Sequence, residues 1–361
     1  MSRLSALIMA TMMTIPTMAA EKATVKVTPV SQDADAANGG MIYALPKTVA
    51  QIRLTAQVVV SSVGPYYQYS TRFLNLTDVV TENSMKWKLI GAEITTTGQV
   101  DYSRRFKIST TDDGQMPQIA LTPDGTIAAI NTPMPAAAQT AAAKATPEIK
   151  YADFSDIPLS QSILARTSKA AMAEECAQTI YTLRAARVGI VTGAAEHRLA
   201  DSGSMAQALA EIDRLEKQHV ELFAGRRDTI VVTQIVEVIP DYDGPSNIVP
   251  ARFSETAGFV DAMDLSGKPV YVDLEFDDSA RVNDGSTSKQ KQSDPQTGFR
   301  YMIPGNVTIK VMDRNVLLTQ KKIRCTQNGQ IATLPASQIL TNAITFDPAT
   351  GAIVSIGKAD K

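Results

Sequence analysis

The sequence predicts an α+β protein in which two β-rich, sandwich-like units flank a central antiparallel helical hairpin. Segments rich in apolar and β-branched residues, above all 229–239, occur on both sides of the middle of the chain. Residues 168–225 instead repeat apolar side chains with a helical period. Residues 134–150 are rich in Ala, Pro and Thr, a composition typical of a linker.

These changes of composition divide the chain into six predicted segments. They are a signal peptide at 1–20, a flexible lead-in at 21–40, an N-terminal β-rich domain at 41–133, a linker at 134–150, the helical hairpin at 151–225 and a C-terminal β-rich domain at 226–361. A chain of 361 residues is long enough for two or three domains, so each β-rich segment is expected to bury its own core.

The first predicted helix covers about residues 168–187. Its apolar residues recur at steps of four, four and three, which places them on one face of a helix. These residues are Met172, Cys176, Ile180 and Leu183. Most charged residues lie off this face, as they do in a helix with one solvated side.

The second predicted helix begins near Ser202 and ends before Gly225. Gln207 follows Ser204 by three residues, the spacing of a capping box. Gly225 follows the last apolar residue, where a left-handed C-cap is expected. Because each helix has one apolar face and only a short polar turn separates them, we expect an antiparallel hairpin.

Two arginines of the first helix have alternative interpretations. Arg184 and Arg187, together with Tyr181, are candidates for binding an anion. The alternative, which we favour, is ion pairing with Glu211 or Glu216 across the hairpin.

The overall charge excludes some partners. The formal net charge of −2 argues against nucleic acid and acidic membranes, which favour strongly basic surfaces. Aromatic residues make up 6% of the chain, too few for an extended base-stacking surface.

The N-terminus predicts export. Arg3 precedes an apolar run from Leu4 to Ile15, and small residues up to Ala20 provide a cleavage site. No later apolar run is long enough to span a membrane. We therefore expect the mature protein in the periplasm, at the cell surface or secreted, without a transmembrane segment.

The two cysteines, Cys176 and Cys325, both fall on apolar faces. An exported protein can pair such residues in a disulfide. The alternative, which we favour, is two separately buried thiols.

The densest aromatic patch lies between residues 64 and 74. Its candidate ligand-binding residues are Tyr66, Tyr67, Tyr69 and Arg72. The alternative, which we favour, is a cluster that caps the fold and leaves its hydroxyls at the rim.

No motif indicates catalysis, a metal or a cofactor. The serines lack the Gly-x-Ser-x-Gly turn of a nucleophile, and His197 and His219 lack zinc-ligand spacing. Loop carboxylates between residues 241 and 275 offer pairs for glycoside hydrolysis, but any β-protein with polar loops contains such residues. We therefore expect no catalytic residues, no metal and no cofactor.

Several short motifs, in order along the chain, resemble those of a known family. They include Tyr43-Ala44-Leu45-Pro46-Lys47-Thr48, Gly64-Pro65-Tyr66, Ile180-Tyr181-Thr182-Leu183-Arg184, Glu221-Leu222-Phe223-Ala224-Gly225, Phe299-Arg300-Tyr301-Met302-Ile303-Pro304 and Phe346-Asp347-Pro348-Ala349-Thr350-Gly351. The chain resembles a domain-of-unknown-function family of secreted Bacteroidetes proteins, DUF4831. It departs from that family at Gln327-Asn328-Gly329, where an aromatic residue tends to precede the glycine.

The resemblance implies a compartment and a lineage but no activity. Exported proteins of that lineage can carry O-glycans at Asp-Ser/Thr followed by an apolar residue, which makes Thr229 and Ser279 candidate glycosylation sites. Export and β-rich architecture together predict a non-enzymatic binding or structural protein with a protein or glycan partner of the cell envelope. The alternative is an envelope hydrolase that acts on glycans or peptides through loop carboxylates.

Overall fold

The computed structural model describes residues 25–30, 40–110, 116–134, 148–194, 202–277 and 298–359. These residues form mostly β-structure, with three antiparallel sheets and a few helices. The predicted signal peptide and most of the predicted linker lie outside the described residues.

The strands and helices follow one another in a mixed order along the chain. The strands are β1 (Val25–Pro29), β2 (Met41–Ser62), β3 (Ser84–Thr110), β4 (Ile119–Leu121), β5 (Ile127–Ile130), β6 (Arg226–Val238), β7 (Asn247–Ser254), β8 (Gly258–Val260), β9 (Lys268–Phe276), β10 (Phe299–Asp313), β11 (Val316–Leu334), β12 (Asn342–Phe346) and β13 (Ile353–Lys358). The α-helices are α1 (Ser70–Leu74), α2 (Gln161–Leu164), α3 (Lys169–Thr192), α4 (Ser202–Ala224) and α5 (Ala336–Thr341).

The central sheet has the strand order β1-β3-β2-β6 and is built on the long pair β2 and β3. The sequence pattern predicts that the first strand ends at Pro46, but β2 continues through it. The register with β3 shifts between Ala44 and Pro46. Such a bulge tolerates proline, because it locally interrupts the hydrogen-bond ladder to which proline cannot donate.

The two other sheets combine distant parts of the chain. The five-stranded sheet has the order β11-β10-β9-β7-β8, and the terminal sheet has the order β13-β12-β5-β4. β6 pairs with β2, and β12 pairs with β5. Strands from 41–133 and 226–361 therefore share two sheets, instead of forming one β-unit from each segment as the sequence pattern predicts. Side-chain alternation identifies a strand but not its distant partner.

One strand lies inside the predicted lead-in. Val25 to Pro29 form β1, which pairs with the end of β3. Val25 and Val27 are buried in the cluster that also contains Tyr43 and Phe299, whereas Lys26 is exposed. The prediction of a flexible lead-in at 21–40 is thus wrong for this stretch, because two alternating valines suffice to bury one face of a short edge strand.

The central and five-stranded sheets share one core. Ile52 and Leu54 of β2 belong to the same buried cluster as Val272 of β9 and Ile309 of β10. A second cluster joins the first residues of β2 to the terminal sheet, and a third joins the helices to Tyr66 and Leu74. The long strand β2 thus leads from one core into the next.

The helices have caps, but not everywhere as predicted. α4 begins at Ser202, so Ser204 of the predicted capping box lies inside the helix, and α3 continues to Thr192, five residues beyond its predicted end. Ser168 caps α3 by accepting a hydrogen bond from the backbone N–H of Ala171 at 3.2 Å, and Gly193 closes it with φ of +74°. Gly225 follows α4 with φ of +79°. Cys176 and Ile180 of the predicted apolar face are fully buried. Among the described helices, none combines the length and hydropathy needed to cross a membrane.

Ion pairs connect α3 with α4. Arg184 contacts Glu216 at 2.7 Å, which confirms the favoured interpretation of that arginine, and Arg187 contacts Asp213 at 2.8 Å. The turn that carries His197 lies outside the described residues.

An aromatic stack joins the start of β2 to the start of β10. The rings of Tyr43 and Phe299 are stacked with centroids 4.4 Å apart, and Phe346 of β12 lies 5.7 Å from Phe299. The Tyr43 hydroxyl accepts from the backbone N–H of Arg300 at 3.0 Å and donates to its carbonyl at 3.3 Å. Burial raises the pKa of Tyr43 above its usual value, so this hydroxyl stays protonated.

Replacing Tyr43 with Phe tests the importance of this hydroxyl. The change keeps the ring stack but leaves the buried backbone groups of Arg300 without their partner. We expect Tyr43→Phe to lower the free energy of unfolding by about 1–3 kcal/mol. Urea unfolding followed by circular dichroism measures it. Tyr102→Phe is the matched control, because Tyr102 is 75% exposed on β3. Equal stability of the two variants would contradict the prediction.

A candidate binding groove between two sheets

The main candidate site is a groove at one end of the contact between the central and five-stranded sheets. Its volume is about 790 Å³. The start of β3 forms one wall, and the β7–β8 turn, the start of β9 and the β10–β11 turn form the other. The groove therefore depends on segments more than 200 residues apart in sequence, from Ser84 to Leu318.

Trp87 forms much of the apolar surface of the groove, together with Leu89, Phe253 and Leu318. Its backbone N–H donates to the carbonyl of Glu255 at 2.9 Å, which fixes the strand against the β7–β8 turn. Its ring lies directly over Gly258, where an added Cβ would stand 2.8 Å from the indole. Gly258 also has φ of +78°, so both the backbone conformation and the close ring favour glycine here.

Charged side chains surround this apolar surface. Glu255 forms ion pairs with Lys268 and with Arg314, the latter at 3.5 Å. The hydrogen bond from Lys268, with the positive charge of that lysine and of Arg314, lowers the pKa of Glu255. Lys86 and Lys88 flank Trp87 on β3, and the alternation of side chains along a strand turns them to the face opposite the indole.

The pKa of Glu255 is not shifted in the direction that an acid catalyst requires. A glycosidase needs one carboxylic acid with a raised pKa that can donate a proton. The pKa of Glu255 is shifted in the opposite direction, so the group is ionised. Within the described residues, no three His, Cys, Asp or Glu side chains are grouped to hold a metal ion.

The tyrosine patch of the sequence divides into a buried and an accessible part. Tyr66 is buried, with its ring 5.5 Å from that of Phe223, and its backbone N–H donates to the carbonyl of Leu222 at 2.9 Å. Burial, and to a lesser extent the nearby Cys176, raises the pKa of Tyr66. Tyr66 therefore packs α4 against the end of β2 and presents little surface to a ligand.

The other residues of the patch remain accessible. Tyr67 and Tyr69 are half-buried, and Arg72 is exposed with its guanidinium 5.1 Å from the centre of the Phe73 ring. The Tyr67 hydroxyl accepts a hydrogen bond from the Gln68 side chain at 3.1 Å. They lie around the helical core, and none of them lines the groove at Trp87.

The two cysteines lie in different cores. Cys176 belongs to the helical cluster and Cys325 to the core between the two larger sheets. Both thiols are free and buried. The disulfide alternative is therefore wrong for this structure, because the apolar faces that bury the two residues belong to separate clusters.

The structure describes one of the two candidate glycosylation residues. Thr229 is exposed on β6, opposite Val59 of β2. Ser279 lies outside the described residues.

His219 of α4 is buried, and its Nδ1 lies 2.8 Å from the carbonyl of Leu215.

In the sequence, the alternation of Met85, Trp87 and Leu89 predicts the start of a strand but no binding site. One signal was available, since the chain's single tryptophan stands between two lysines. The opposite wall of the groove could not be foreseen, because it comes from turns that reach Trp87 only after the two sheets have packed together.

Comparison with known proteins gives a family but no activity. A family model described as "Domain of unknown function (DUF4831)" matches residues 39–354. The chain belongs to this family. Searches of curated proteins and of solved structures found no match.

The motifs by which the chain resembles DUF4831 meet at two packing junctions. Tyr43, Phe299 and Phe346 form the aromatic stack of the terminal core, where the N–H of Met302 also donates to the carbonyl of Gly351 at 3.2 Å. Tyr66 and Phe223 meet in the helical core. These motif residues therefore contribute to packing in two of the three cores, and the Trp87 groove lies outside them.

Thiol reactivity tests the state of both cysteines. Burial raises the pKa of Cys176 to about 12 and also raises that of Cys325. Because the thiolate is the reactive form, we expect neither residue to react with a chromogenic thiol reagent at pH 8 in the folded protein. In denaturant without reductant, two thiols per chain should react. No reactive thiol in denaturant would indicate a disulfide and contradict the structure.

Proposed function

We propose that this protein is an exported, non-enzymatic binding protein of the periplasm or cell surface. Its binding site is the Trp87 groove, and its ligand is an acidic polypeptide segment with an apolar side chain that enters the groove. The observation that carries this proposal is a partly buried tryptophan in an apolar groove, beside two cations, Lys268 and Arg314, that share the carboxylate of Glu255.

Charge supports an acidic ligand. Four residues that line the groove are cationic and two are acidic. Lys268 and Arg314 share the single carboxylate of Glu255, so one of these cations can contact a carboxylate of the ligand while the other stays paired with Glu255. Complementary charges of this kind fix the orientation of a partner and speed its association.

The apolar surface supports a polypeptide over a neutral glycan. Specific glycan recognition requires many hydrogen bonds to hydroxyl groups, whereas Ser84 and Thr256 are the neutral polar side chains that line this groove. An apolar side chain from a partner protein would instead bury against Trp87 and Phe253 and contribute through the hydrophobic effect.

Two finer features of the architecture belong to the same proposal. The shared core of the central and five-stranded sheets supports a sandwich-like arrangement. The order of the ion pairs supports an antiparallel helical hairpin, because the more C-terminal arginine of α3 contacts the more N-terminal acid of α4.

Peptide binding tests the proposal directly. A library of fluorescein-labelled peptides, each with two to four Asp or Glu residues and one Phe, Leu or Trp, is titrated with the protein and followed by fluorescence anisotropy. We expect a subset to bind, and Trp87→Ala to weaken that binding by about tenfold or more, as loss of a buried aromatic anchor does. Tyr102→Ala, an exposed aromatic residue of the same strand, is the control.

A charge-reversal variant separates lost binding from lost folding. Lys268→Glu changes one exposed residue of the groove, so we expect a nearly unchanged unfolding curve but weaker peptide binding with a smaller dependence on salt. Peptide binding that is insensitive to both the Trp87 and the lysine variants would contradict the groove. Binding of polygalacturonate, with the same sensitivity and without any peptide binding, would replace the polypeptide by an anionic glycan.

A further inference from the structure

The strand β6 leaves one edge of the central sheet open. In the order β1-β3-β2-β6 it pairs with β2 along its whole length, from Arg226 to Val238. No described strand pairs with its other side. An open edge of thirteen residues carries a row of backbone N–H and C=O groups that can pair with another strand.

This edge lacks the features that usually prevent such pairing. Between Thr229 and Val236 it contains no charged residue, no proline and no glycine. Val231 is 54% exposed and Ile235 is 41% exposed on the outer face. Monomeric proteins protect long edges with charges, prolines or bulges. The open edges of β11 and β13 are better protected than that of β6. The strand β11 carries the charged residues Lys321, Lys322 and Arg324, and β13 is short, with six residues.

The sequence of β6 is complementary to itself in the antiparallel direction. When two copies are aligned about Val232, Arg227 of each lies opposite Glu237 of the other. The same alignment places Thr229 opposite Ile235, and Val231 opposite Thr233. Side chains on the outer face of one copy then lie beside side chains on the outer face of the other copy. The alternation of exposed and less exposed residues therefore continues across the junction. Cross-strand pairs of β-branched residues and of opposite charges are favourable.

The existing contacts of the two charged residues allow this pairing. Glu237 accepts hydrogen bonds from Gln51 at 3.0 Å and from Gln99 at 3.2 Å, but no described cation pairs with it. Arg227 contacts Asp78, an exposed residue, at 2.7 Å. The guanidinium of Arg227 can therefore contact a second carboxylate, and Glu237 has no positive partner within the part of the chain that the structure describes.

We propose that two copies of this chain associate through β6, in an antiparallel two-fold arrangement that joins their central sheets into one. The Arg227–Glu237 pairs select the register about Val232, and backbone hydrogen bonds with the β-branched centre supply the affinity. The Trp87 groove lies on β3, two strands from this junction, so each copy keeps its groove accessible.

Charge exchange between the two ends of β6 tests this arrangement. Sedimentation velocity of the full mature chain at several concentrations measures the dissociation constant. Arg227→Glu alone and Glu237→Arg alone each place like charges opposite one another twice per dimer, so each should raise the dissociation constant by about fivefold or more. The double variant, Arg227→Glu with Glu237→Arg, again places opposite charges across the junction between the two copies. It should therefore recover most of the affinity.

A central substitution and a control complete the test. Val231→Lys places two charges near the middle of the junction and should yield a monomer, whereas Val354→Lys, on the exposed β13, should leave the dimer intact. Circular dichroism and thermal unfolding verify that each variant folds. A monomer at all concentrations up to about 100 μM, or a dimer that Val231→Lys and the charge variants do not weaken, would overturn the proposal. A failure of peptide binding at the groove leaves this test unaffected.

Discussion

The antiparallel pairing of β2 with β3 is the interaction on which the rest of the structure depends. Its register runs from Met41–Ile108 to Ser61–Ser84, with two shifts. Along this one ladder, β2 contributes Tyr43 to the terminal core and Ile52 to the core between the larger sheets, and it ends next to the helical core. A one-residue slip would turn every one of these side chains to the opposite face, so the register fixes all three cores together.

A buried polar junction holds the three sheets to this strand. The backbone N–H of Thr48 donates to the Thr326 hydroxyl at 2.9 Å, and the Thr48 hydroxyl donates to the carbonyl of Ala349 at 3.0 Å. The side-chain amide of Gln327 donates to the carbonyl of Thr48 at 2.8 Å. Residues of β2, of β11 and of the turn after β12 thus satisfy one another where the sheets meet. A buried polar network of this kind is stabilising only when its members are paired, which favours one relative position of the sheets.

The departure from the family pattern lies beside this junction. The resemblance implies an aromatic residue at Asn328, whose amide instead donates to the carbonyls of Asp277 and Asn306 at 3.1 and 3.2 Å. Its buried carbonyl oxygen has no partner among the described residues. The side chain thus joins β9 to β10 by hydrogen bonds instead of by ring packing.

Local chemistry made much of the fold predictable. Ser168 and Gly225 mark helix ends because caps depend only on neighbouring residues. The same local view failed at Pro46, where a bulge keeps the strand continuous, and at Val25 and Val27, whose partner strand lies some 80 residues away. The groove was not foreseeable at all, since Trp87 and Glu255 meet only through packing of two sheets. Pairing between distant strands leaves no signature in either strand alone.

Strands from the N-terminal part of the chain pair with strands from the C-terminal part, so two sheets stay incomplete while the chain is being synthesised. β2 is finished at residue 62, but its partner β6 does not begin until residue 226, and the partner of β5 begins at residue 342. At roughly 5–20 residues per second, ribosomal synthesis leaves the free edge of β2 without its native neighbour for on the order of ten seconds or more. During that interval its apolar face is open to other nascent chains. Completion of the fold must therefore follow the appearance of the C-terminal strands, because the sheets that contain β2 and β5 lack their last members until then.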